Sequence, residues 1–289
     1  MPGDFPIVDA QIHKPSPPVG LPDSFGDENA LVLSVELARE AMDSVGVDAA
    51  LLVADNAYID ACVARYPGRF AGVQVFQQCG EDLDHAIRAA ADDPAIVAGR
   101  FMVTDFRNLE LVDAFVEGAM EAGFAAASDV GLPLFLSTHG QAAAMEPVLQ
   151  RYPDLAIIID HLGVSQHPVS PPRDDPWDRL GGLLVLAKYP RVHVKICGLP
   201  LLSVEEWPHA DTMLKLRQLI EAFGVERLMW ASDYTRLRLA KTGESLRNRG
   251  RLYSETRDMI LHGETLSDAE KAALLGESCM KLVDWRPSP

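Results

Sequence analysis

The sequence predicts a (β/α)8 TIM barrel with an extra C-terminal helix, on three observations. Eight short β-branched or apolar runs recur along the 289 residues, each followed by a segment with helical spacing, the pattern of βα units around a parallel sheet. The length exceeds the roughly 100–200 residues of a usual single core, but α/β barrels reach about 250 as one domain, so residues 1–289 read as one domain. The dipeptide Tyr-Pro recurs in RYPGRF (65–70), RYPDLA (151–156) and KYPRVH (188–193), each time between a helical segment and the next run. Proline ends a helix there because the residue before it avoids the α region.

In order, the strands are expected at IVDAQIH (7–13), AALLVA (49–54), AGVQVF (71–76), IVAGRFM (96–102), PLFLSTH (133–139), AIIID (156–160), VHVKIC (192–197) and RLMWASD (227–233). Helices are expected over 34–46, 56–66, 80–92, 109–129, 141–152, 174–189, 209–223 and 244–262, with the additional one over 267–282. Two connections are too long to be turns: Lys14 to Leu33 and Ser165 to Pro176. Both follow strand C-terminal ends, the barrel face on which substrates bind.

Composition narrows the function. Acidic side chains number 42 against 26 basic ones, and the formal charge of −16 with no basic run argues against nucleic acid as a partner. The N-terminus MPGDFPIVDA lacks the regions of a signal peptide, and no apolar stretch approaches the roughly 20 residues of a membrane span, so a soluble cytoplasmic protein is expected. Cys62, Cys79, Cys197 and Cys279 are far apart with no C-x-x-C and read as reduced thiols.

The chemistry gathers at strand ends. Side chains alternate along a strand, so Asp9, Gln11 and His13 should share one face of the first, where a barrel normally places Val, Ile or Leu. Consecutive polar groups there are costly unless bonded to one another or to an ion. His139 ends the fifth run, His161 follows the sixth, and Asp233 ends the eighth. Each alone has an ordinary explanation, a loop histidine or an N-cap aspartate. Four such groups at the same end of the barrel point to a site.

With DAQIH (9–13), THG (138–140), IIIDHLG (157–163), VKICG (194–198) and LMWASDY (228–234) in this order, the chain resembles the amidohydrolase superfamily, in its lactonase and decarboxylase branch of 2-pyrone-4,6-dicarboxylate lactonase-like proteins. The resemblance spans nearly the whole chain. It implies that Gln11, His13, His139 and Asp233 stand where the family surrounds a divalent metal or its vestige, and that His161 contacts substrate. Gln11 departs from the pattern, replacing a histidine or glutamate, and a neutral amide is a poorer ligand than either. Arg100 stands where a metal-bridging lysine would, which argues against two metals. The expectation is no required cofactor or one weakly bound divalent ion, zinc foremost, on His13, His139 and Asp233, with an open fourth position.

Cations cluster after the strands: Lys14, Arg100, Arg107, Arg173, Arg236 and Arg238. A planar guanidinium holds a carboxylate in bidentate fashion, so a small acidic metabolite is the expected partner, with Arg100, Gln11 and Lys14 as contacts. Lys195, inside the seventh run, needs the site or an acid beside it. His167, in the sixth loop, is within reach of substrate. Three functions follow: a hydrolase opening a lactone or related cyclic ester with Asp233 as general base and His13, His139 and His161 assisting, a metal-dependent decarboxylase of an aromatic or unsaturated acid, or an inactive barrel that binds a metabolite. The sequence leaves a homo-oligomer open.

Overall fold

A computed structural model describes residues 5–16, 20, 22, 25–77, 79–166, 174–237 and 252–288. Eight strands, β1 (Val8–Ile12), β2 (Ala49–Ala54), β3 (Phe70–Val75), β4 (Ile96–Met102), β5 (Leu134–Ser137), β6 (Ile157–Ile159), β7 (Val192–Cys197) and β8 (Leu228–Ala231), form one parallel sheet in chain order. The strands nearly close into a barrel: β1 lies beside β8, and past their ends the Asp233 amide donates to the Gln11 carbonyl at 3.1 Å. The (β/α)8 expectation holds, and three of the eight strands keep the bounds read from sequence.

Two apolar layers follow from the alternation. One set, including Ile12, Leu52, Phe101, Leu136, Ile159, Val194 and Trp230, packs outward against the helices. The other, including Leu51, Val73, Ala98, Phe135, Ile158, Met229 and Ala231, fills the barrel. Where the second set reaches the C-terminal ends of the strands it gives way to Arg100, Ser137, Lys195 and Asp233, all buried polar groups.

The Tyr-Pro joints behave as expected, since Tyr66, Tyr152 and Tyr189 each cap a helix in a non-helical conformation before its proline. Three helices differ from expectation. The first begins at Gly26, well before residue 34: its opening turns are exposed and carry no apolar stripe, while Asp27 and Glu28 favour the positive helix terminus. The segment 109–129 is split into Asp113–Val116 and Glu121–Val130 by Gly118, whose φ is +78°. The segment 174–189 contains helix only from Leu180–Leu184, followed by a 3-10 turn Val185–Lys188. The extra C-terminal helix is present as Asp268–Ala272, Ala273–Glu277 and Ser278–Leu282, its middle turn wound as a π-helix against β1 and β8.

Asp9 does not share a face with Gln11 and His13. The β1–β2 register shifts between Asp9 and Ile12, and this irregularity turns Asp9 to the β8 side, where the Ser232 amide (2.9 Å), the Ser232 hydroxyl and the Tyr253 hydroxyl (2.7 Å) donate to its carboxylate. Burial raises the Asp9 carboxyl from 3.8 to about 6, even against those hydrogen bonds. Asp9 thus fastens the closing seam instead of joining the chemistry. No helix among the described residues is long and apolar enough to cross a membrane.

Candidate active site

His13, His139, His161 and Asp233 follow the ends of β1, β5, β6 and β8, and the last three have positive φ values of 34°, 53° and 48°. Left-handed backbone is uncommon for residues other than glycine and costs about 1–3 kcal/mol each, so three instances at one end of a barrel are a mark of function in their own right. Two backbone hydrogen bonds fix these turns, Gly140 N–H to the Gly163 carbonyl at 2.8 Å and Asp233 N–H to the Gln11 carbonyl. The His139 and His161 rings stack at 6.0 Å, and the Ser137 hydroxyl lies 2.9 Å from His139 Nε2.

The proton positions around His13 follow from its partners. The Val53 carbonyl, 2.7 Å from His13 Nδ1, only accepts, so Nδ1 carries a proton. The Lys195 ammonium only donates and lies 2.7 Å from Gln11 Oε1, which turns the Gln11 NH2 group towards His13 Nε2 at 3.3 Å. Asp233 Oδ1 approaches the same Nε2 at 3.1 Å. His13 Nε2 therefore either accepts from the Gln11 amide or holds a proton for Asp233, a pair able to share one proton.

Below this pair lies a buried charge cluster. Asp160 Oδ1 forms an ion pair with Lys195 Nζ at 2.8 Å, and its Oδ2 accepts from Arg100 Nε at 2.7 Å. Burial works to raise the Asp160 carboxyl, but the two cations outweigh it and hold the group well below the usual carboxylate range. Lys195 also places its ammonium 3.8 Å from the Phe135 ring centroid. Lys195 thus meets the condition the sequence set for it, an acid partner beside it.

Burial lowers His161 to about 3 although Asp233 and Asp160 pull it upward, so the ring stays neutral. Its Nδ1 is buried and has no hydrogen-bond partner among the described residues. His161, Cys197 and Asp233 each bring one potential ligand atom to within 4.8 Å of the others, all buried. This is a different set from the expected His13, His139 and Asp233. Gln11 is no ligand, because its oxygen is taken by Lys195 and its nitrogen is a donor. The histidine, thiol and carboxylate donors fit one borderline ion such as zinc.

The expected substrate contacts divide. Arg100 and Gln11 sit within the site. Lys14 does not: it directly follows His13, so alternation turns it the other way, and its ammonium stands over the Tyr58 ring at 5.7 Å. His167, Arg173 and Arg238 lie outside the described residues, as does the Arg236 side chain. Sequence reasoning passed over Asp160, Ser137 and Cys197. The signal for all three was the alternation, since each falls two residues from a group already suspected or at the end of an inward-facing row.

An eight-stranded parallel barrel with an aspartate, three histidines and buried cations at its C-terminal mouth defines a catalytic barrel of the hydrolase kind. Residues 8–285 match the family model described as Amidohydrolase, and the chain belongs to that family. A curated relative, L-fucono-1,5-lactonase from Burkholderia ambifaria, is 32% identical over 159 residues, covering 53% of this chain and 51% of that protein, so the match spans about half of each. Among solved structures, an amidohydrolase from Burkholderia multivorans with bound zinc superposes with a TM-score of 0.71 at 19% identity, covering 97% of this chain and 99% of that one. A protein provisionally named 2-pyrone-4,6-dicarboxylic acid hydrolase, from Pseudomonas putida, gives 0.66 at 18%, covering 97% and 98%. These two likenesses are of fold.

Proposed function

We propose that the protein is a hydrolase that opens the lactone, or a related cyclic ester, of a small acidic metabolite. The observation that carries this is the 3.1 Å approach of His13 Nε2 to Asp233 Oδ1, beside a neutral His161 and the Arg100 guanidinium. The lactonase relative supports the reaction class.

Asp233 takes a proton from water as the water oxygen bonds to the lactone carbonyl carbon, and His13 Nε2 shares that proton. Negative charge then develops on the former carbonyl oxygen. Arg100, of which Asp160 engages only the Nε–H among the described residues, and a His161 N–H donate to it. The ring C–O bond breaks, and the proton held between Asp233 and His13 goes to the departing alkoxide, giving a hydroxy acid. His139, stacked on His161 and bonded to Ser137, holds the His161 ring in place. A divalent ion at the site would be held by donors around Asp233 and would supply Lewis-acid polarisation of the carbonyl.

The substrate's acidity follows from charge. Arg100 is a buried cation of which Asp160 engages only the Nε–H among the described residues, and its planar fork suits a carboxylate. The test is a panel of sugar-acid and dicarboxylate lactones followed by mass spectrometry. A gain of about 18 Da with a free carboxyl supports the proposal, whereas a loss of about 44 Da identifies a decarboxylase and no turnover across the panel counts against both.

A further inference from the structure

We propose that the protein binds a divalent ion through a thiolate: Cys197, His161 and Asp233, at the ends of three consecutive strands, form a three-donor zinc site. The inference does not rest on the lactonase reading, because binding an ion needs no substrate.

Four observations carry it. First, the three potential ligand atoms already lie within 4.8 Å of one another. Donors of a tetrahedral zinc with bonds of about 2.0–2.3 Å stand about 3.5 Å apart, so a closure of roughly 1 Å, within reach of side-chain torsion, completes the shell. Second, His161 is 6% exposed and carries a buried nitrogen with no hydrogen-bond partner among the described residues. Such a group is costly in a folded protein unless something binds there. Third, Cys197 is a free, fully buried thiol, the last residue of β7 on the row it shares with Lys195, and β7 pairs with β6 on one side and β8 on the other. The sulfur therefore arises between the strands that carry the other two donors. Fourth, the Gln11 side chain on the first strand cannot contribute, because its oxygen is held by Lys195 at 2.7 Å and its NH2 faces His13 Nε2 at 3.3 Å.

The chemistry of the set is selective. A histidine nitrogen, a thiolate and a carboxylate suit zinc and cobalt(II), whereas magnesium and calcium prefer oxygen donors alone. As the sulfur–metal bond forms, the thiol proton leaves to solvent; nothing is oxidised or reduced. Three protein donors leave one position open, as catalytic zinc sites do. Cys197 and Cys279 both lie in the inner apolar layer and Cys62 in the outer one, but among the described residues only Cys197 has such a donor set beside it.

The experiment uses the full-length, metal-stripped chain titrated with cobalt(II) and then zinc. The expected result is one ion per chain, a thiolate-to-cobalt charge-transfer band in the near ultraviolet, and in the zinc form an X-ray absorption shell containing one sulfur at about 2.3 Å. The Cys197→Ser variant should lose the band, and its zinc affinity should fall by more than the 10- to 100-fold, about, that follows loss of a mere outer partner of a ligand. Cys62→Ser and Cys279→Ser should keep the band. The absorption shell is read on the unaltered chain, so it stands even if a variant fails to fold. A stripped chain that takes up no ion, a shell of nitrogen and oxygen only, or a band that survives in Cys197→Ser overturns the proposal. Lactone hydrolysis by a chain that takes up no zinc would overturn it while leaving the hydrolase reading intact.

Discussion

Removing the Lys195 ammonium is the sharpest test of how the site is held. Lys195 is fully buried, 2.8 Å from Asp160 and 2.7 Å from Gln11 Oε1. In Lys195→Met the side chain keeps its unbranched apolar stem and loses only the terminal ammonium position, so packing changes little. Asp160 retains Arg100, but one carboxylate oxygen and the Gln11 amide oxygen lose their donor. Breaking a buried pair by deleting one partner costs about 3–5 kcal/mol, and the stranded amide oxygen alone accounts for about 1–3 kcal/mol. With a retained cation on the other side, we expect the lower end, about 3 kcal/mol, read from urea unfolding followed by circular dichroism. Removing both partners in Lys195→Met/Asp160→Asn should cost less than the sum of the single changes, by about 1–3 kcal/mol. A single variant within about 1 kcal/mol of the parent, or an additive cycle, refutes the claim that this ion pair organises the floor of the site.

Three further outcomes follow. The folded state binds the Asp9 proton more tightly than the unfolded chain, with its carboxyl raised from 3.8 to about 6. That contribution is therefore fully present below pH 4 and lost as pH rises through about 6, by about 3 kcal/mol. The stability difference between the parent and Asp9→Asn, followed across that window, should shift by this amount, and a flat difference contradicts it. Gln11→His removes the acceptor for Lys195 and should cost about 1–3 kcal/mol in unfolding free energy and lower turnover even if zinc affinity rises; a gain in both stability and rate would argue that the amide has no present use. A methyl group added at Gly276 would stand 2.4 Å from the Pro6 carbonyl oxygen, so Gly276→Ala should lower stability by about 1–3 kcal/mol through the clash of the π turn with the start of β1.

The barrel was legible because its period-2 rows are long and apolar, and strands such as 49–54, 96–102 and 192–197 emerge with their bounds intact. The first helix was read short because its opening turns face solvent and show no stripe. The site was legible in its polar strand ends, His13, His139, His161 and Asp233, since polar groups on an inward row are expensive. What escaped was pairing. Asp160 and Lys195 lie 35 positions apart in sequence and meet only through strand register, and Asp9 left its row because a register shift in β1 has no residue signature. Lys14 was misplaced by proximity in sequence to His13, although alternation already pointed it away. Cys197 was read as one of four reduced thiols, and only the β6–β7–β8 order sets it beside His161 and Asp233.

In the proposed mechanism Asp233, sharing a proton with His13, is the base that activates water. Asp233→Asn keeps the side-chain shape and removes the group that accepts the proton, so steady-state hydrolysis of the best lactone in the panel should fall by at least about a hundredfold with the melting temperature preserved. Near-parental turnover by a folded Asp233→Asn protein would contradict the account.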